Sequence, residues 1–193
     1  MRIGDHMPLP AYNVRKAAQV VAFFAKKQGG SINVLKLAKL VYLADREFMS
    51  RYDCPILYDQ LVSMEHGPVN SRTLNYINGC LTDERNWDSL LVDREGHTVG
   101  LRNPQLSTDD LDELSEAEVE VLEDVWSQFS SMDRYALRDY THEHCPEWED
   151  PDGSSSPIPY ERVFKFLGKR HSAELQEMIE TQRALDRSLC QAS

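Results

Sequence analysis

The stretch INVLKLAKLVYLADREFMSR, residues 32–51, decides how this chain folds. Apolar groups stand at Ile32, Val34, Leu35, Leu37, Leu40, Val41, Leu43, Ala44 and Phe48. They cover more than one helical stripe, which predicts a central helix with neighbours on two sides. Ser31 is placed to cap it. Lys36, Lys39 and Arg46 are expected to mark its remaining wet face.

Working outward, Val14, Ala17, Ala18, Val21, Phe24 and Ala25 repeat every three or four residues, an amphipathic helix from Asn13 to about Gln28. Asn13 is its cap, and Gly29-Gly30 stops it. Downstream, Leu61–Glu65 reads as a short strand or extended segment ending at His66-Gly67-Pro68-Val69. Proline disfavours helix before itself and fits a first helical turn, so a helix is expected from Pro68 to about Gly79, with Leu74 and Ile77 inward. Residues 89–102, SLLVDREGHTVGLR, carry a β-hairpin signal. Ser115 and Glu118 match a capping box opening a helix to about Phe129. That helix has Val119, Leu122, Val125, Trp126 and Phe129 on one face and Glu116, Glu120, Glu123 and Asp124 on the other. A further helix runs from Asp133, as cap, to about Thr141. Residues 149–159 read as a loop of turn residues, and helices over about 160–168 and 172–190 close the chain. The sum is a mainly α fold with a small antiparallel β element (α+β), a single compact helical domain.

At about 100–200 residues per domain, 193 residues argue for one domain. No run approaches the ~18–20 apolar residues of a membrane span. The start, MRIGDHMPLPAY, lacks the apolar core of a secretory signal. Cys54, Cys80, Cys145 and Cys190 form no CxxC pair, which suits reduced thiols and a cytoplasmic location. The 21 basic and 32 acidic residues give a net charge of −11. Residues 1–51 carry a balance of +6, residues 52–157 of −18, and the remainder is nearly neutral. So acidic a middle repels nucleic acid, and no direct nucleic-acid contact is expected. An acidic face attracts a basic protein partner or keeps the chain in solution.

Catalytic signatures are missing: the chain has no GxSxG, GxxxxGK[ST], GxGxxG or HExxH motif. Thr141-His142-Glu143-His144-Cys145 is the densest polar cluster. Two histidines two apart point alike only in extended chain, and no second ligand pair stands elsewhere, so neither metal nor cofactor is expected. The plainer reading is a helix end steadied by histidines near its free carbonyls. These residues describe a binding module rather than an enzyme, with a hydrolase using His142, His144 or Cys145 as the rival from another class.

Three elements in order carry a resemblance. Ile32–Ala44 resembles the LKLQKLLYLA helix of the Panacea domain family, which includes SocA-like and phage-associated GepA-type proteins. Met64–Val69 resembles its GPV element, with His66 where the family commonly has Tyr. Thr141-His142, followed by Pro146 and Trp148, resembles its TH…PW element, here split by Glu147. The resemblance covers roughly residues 15–150. It implies a Panacea-like domain over 13–170, between a leader (1–12) and a C-terminal helix (171–193). It implies an antitoxin-like role, binding and neutralising a protein toxin encoded next door, with delivery of a partner to a protease as the alternative. Some members carry an added DNA-binding domain, for which no room is expected before residue 13. Candidate partner-binding residues are Lys36, Lys39 and Tyr42 on one helical strip, His66, Gly67 and Pro68 at the GPV element, and Thr141, His142 and Trp148.

Overall fold

A computed structural model describes residues 12–191, so all but Tyr12 of the expected leader lies outside the described residues. Helix α1 (Val14–Lys27) begins at Asn13, whose side chain accepts from the Lys16 amide. Its residues Ala17–Ala25 are all buried, more than one stripe supplies, so α1 shares the centre with the helix that follows. Gly30, at φ +110°, turns the chain back.

The central helix starts later than its periodicity suggested. Ser31–Asn33 form strand β1, and α2 spans Val34–Tyr52. Asn33, not Ser31, is the cap, accepting from the Leu35 and Lys36 amides. The local pattern was overridden by a distant partner: β1 pairs antiparallel with β5 (Thr98–Leu101), which pairs in turn with β4 (Leu91–Glu95). The expected hairpin is therefore two strands of a three-stranded sheet ordered β1-β5-β4.

A second sheet, ordered β3-β2-β6, packs along α2 from Ala38 to Asp45. Strand β2 (Leu61–Met64) turns through Glu65-His66 into β3 (Gly67–Asn70), with Met64 opposite Gly67. Pro68 thus lies in a strand and not at a helix start, and β3 tolerates it because it is an edge strand with no further ladder to feed. Helix α3 follows as Ser71–Ile77. Its cap is remote: Asp59 accepts from the Arg72 and Thr73 amides and the Thr73 hydroxyl. Ser155–Pro157, read as loop, forms β6 and completes this sheet.

Helix α4 (Glu116–Phe129) carries the expected capping box between Ser115 and Glu118. Its acidic face is largely matched: Glu123 pairs with Lys27, and Glu120 and Asp124 with Arg51. Helix α5 (Arg134–His144) begins at Asp133 and runs one turn beyond the expected end. Helices α6 (Tyr160–Phe166) and α7 (Ser172–Gln191) pack on each other. Arg183 of α7 donates to the carbonyls of Tyr58 and Asp59, which ties the last helix to the segment after α2. One large core of both α1 and α2, with α4, α6 and the first sheet, holds the fold together. No helix among the described residues is long and apolar enough to cross a membrane.

Candidate functional site

Gly67 is the point where the three motif elements meet. Its φ of +97° belongs to glycine. A Cβ there would stand 2.8 Å from Thr141 Oγ1, 3.0 Å from Lys39 Nζ and 3.2 Å from His142 Cδ2. So β3, α2 and the end of α5 approach closely because position 67 has no side chain.

Lys39 explains the closeness. It is 1% exposed, yet its Nζ donates to the Pro68 carbonyl at 2.9 Å. An edge strand pressed against a helix has carbonyls with no ladder partner, and a buried unpaired carbonyl is costly. Lys39 satisfies one. Burial lowers its ammonium to about 7. Thr141, also buried, turns its hydroxyl onto the Arg138 carbonyl of its own helix.

On the far side of Gly67, the His142 ring stacks on Trp148 with centroids 4.0 Å apart. Trp148 Nε1 donates to the Met64 carbonyl at 2.9 Å, so the indole clasps the end of β2. Burial, with Lys39 and Arg138 nearby, holds the His142 imidazolium below its usual range, and its Nε2 is buried without a partner. His144 takes the helix-end role instead, with Nδ1 3.1 Å from the Tyr140 carbonyl.

The expected polar strip of Lys36, Lys39 and Tyr42 is not a solvent-facing edge. Lys36 is 8% exposed, donates to the Ser130 carbonyl and lies over Trp126; Tyr42 is fully buried. Helix α2 is surrounded, and its polar groups face other elements. Tyr42 donates to Glu147 Oε1 at 2.8 Å, and Arg46 Nε reaches the same oxygen at 2.6 Å. The residue that splits the proline–tryptophan pair is therefore a buried carboxylate bound to the central helix. Cys145 is 1% exposed, and burial pushes its thiol up to about 12, which makes it a poor nucleophile.

Beside this buried cluster opens a groove of about 480 Å³, within the ordinary range for ligand sites. Its floor is Val34, Ala38, Val69 and Leu74. Lys39 and Gly67 reach it from below, and the exposed His66 and Met64 stand on the β2–β3 turn. Arg94 and His97 of the other hairpin and the exposed Arg134-Tyr135 of α5 also line it. Among the described residues no three His, Cys, Asp or Glu side chains gather as metal ligands.

A family model for the antitoxin SocA-like, Panacea domain matches residues 37–149. The chain belongs to that family. No curated protein and no solved structure gives a match. The Panacea match takes in α2 from Leu37, the second sheet's hairpin and Trp148, so every contact around Gly67 described above lies inside it. Most of the sequence candidates converge there, namely Lys39, Gly67, Pro68, Thr141, His142 and Trp148, while Lys36 and Tyr42 point elsewhere. Sequence reading of this Panacea chain missed Glu147, whose intrusion into the motif was the available signal. It also missed Arg94, Arg134 and Tyr135, which no periodicity or motif brings together.

Proposed function

We propose that this chain is a cytoplasmic antitoxin that binds and neutralises one cognate protein toxin by direct contact, with no bond-making chemistry of its own. The observation that carries this reading is the Panacea match over residues 37–149. The geometry supports it. The motif residues interlock beneath an open groove, and the candidate nucleophile Cys145 is buried and held protonated.

The test is co-expression with the product of the adjacent reading frame. Expected are rescue of growth and a stable stoichiometric complex that persists in cells lacking their ATP-dependent proteases. Loss of the partner protein only when both this chain and a protease are present would replace neutralisation by delivery. His142→Ala with Cys145→Ala should leave rescue intact wherever the variant folds. Its failure in a folded variant, alongside substrate turnover by the wild type, would move the chain to the hydrolases.

A further inference from the structure

The groove is basic in an acidic chain. Net charge is −11, yet the lysine and arginine side chains lining the groove, Lys39, Arg94 and Arg134, face one carboxylate there, Glu65. Among the described residues none of the three takes part in an ion pair, although eight other lysine and arginine side chains do.

Arg134 is placed against its own helix. It is the first residue of α5, where the macrodipole favours anions and disfavours cations. Its guanidinium lies 4.7 Å from the centroid of the Tyr135 ring, itself 50% exposed. The guanidinium of Arg138 lies 5.3 Å from the same centroid. A cation at a helix start with no carboxylate at ion-pair distance, its charge answered only at longer range by the neighbouring Asp133, and beside an exposed aromatic, has the make-up of a contact surface. The N-termini of two helices also open here, since Asn33, Val34 and Leu35 of the α2 start line the groove with Arg134 and Tyr135. Both starts are capped: the Asp133 carboxylate offsets the positive end of α5, while the neutral Asn33 leaves the α2 dipole uncompensated by charge.

We infer that this groove seats an acidic, partly apolar peptide segment of the neutralised protein, its carboxylates held by Arg134 and Arg94 and its apolar side chains on Ala38, Val69 and Leu74. The source of the segment rests on the antitoxin reading; the groove's preference for it does not. Apolar floor and cationic rim together suit a segment in which acidic and apolar residues alternate. Exposed rim charges set which partner is captured and how fast.

The probe is a short fluorescein-labelled peptide of alternating aspartate and leucine, followed by anisotropy with the full chain, against a lysine–leucine peptide of equal length. Binding of the acidic peptide is expected, weakening as salt rises. Arg134→Glu with Tyr135→Ala should weaken it about tenfold or more. Both side chains are exposed and glutamate suits a helix start, so the folded state should survive the double change, as thermal unfolding will check; Arg134→Glu alone serves if Tyr135→Ala lowers stability. Equal binding of the basic peptide, or unchanged affinity in a folded variant, overturns the inference. So does equally strong competition by a single-stranded oligonucleotide of the same charge. In cells, a folded variant that rescues as fully as wild type overturns the groove while leaving the antitoxin reading standing. Failure of the wild type to rescue overturns the antitoxin reading, and the peptide titration still decides the groove.

Discussion

At the scale of one residue, Gly67 and Lys39 are a matched pair. A methyl group at 67 meets both a positive φ and atoms at 2.8–3.2 Å, whereas at Gly96, φ +58°, nothing lies within 4 Å. Gly96→Ala should cost about 1 kcal/mol from backbone strain alone, and Gly67→Ala about 2–4 kcal/mol with crowding added. Urea unfolding of the two variants measures the difference; equal losses would show that Lys39, Thr141 and His142 give way freely. Lys39 makes a second prediction, on pH. Its folded value of about 7 lies below the ~10.4 of an unfolded lysine. Between these the unfolded state binds the extra proton, so the lysine's contribution to stability rises with pH from about 7 to about 10. The stability of wild type minus that of Lys39→Met should climb across that window. A flat difference would mean that the buried amine stays charged throughout.

At the scale of elements, the capping box of α4 is an instance where local sequence and structure agree. Ser115 accepts from the Glu118 amide, and Glu118 accepts from the Ser115 amide at 2.7 Å and from Lys16 Nζ at 2.7 Å. Ser115→Ala should lower stability by about 1 kcal/mol in thermal or urea unfolding. A loss within error would show the Lys16 contact carrying the helix start alone. Helices α1, α4, α5, α6 and α7 and the 91–101 hairpin were legible because caps, glycine stops and apolar spacing are local signals. Residues 31–33, Pro68 and 155–157 were not, because each becomes a strand only through a partner far along the chain. The candidate site divides in the same way. The motif residues could be read in sequence, whereas the groove is assembled from α2, two hairpins and α5, and its cations stand in no common pattern.

At the scale of the whole molecule, the segment after α5 returns to lock the centre. Glu147 is fully buried, with Tyr42 and Arg46 of α2 on its carboxylate. Glu147→Ala strands both partners and should cost about 3 kcal/mol or more, while Tyr42→Phe should cost about 1 kcal/mol. Urea unfolding of the two variants tests the ordering, and a cheaper Glu147→Ala would make the carboxylate replaceable. The neighbouring Trp148 has a different consequence. Its indole lies flat on His142 while its nitrogen holds the end of the β2–β3 hairpin that walls the groove. An imidazolium against an indole quenches emission, so the light lost on removing Trp148, taken as wild type minus Trp148→Phe, should dim on acidification with a midpoint below 6.5, the ordinary histidine value. An occupant that shifts that hairpin should therefore change Trp148 emission, which makes the indole an optical gauge of the groove with no dye attached.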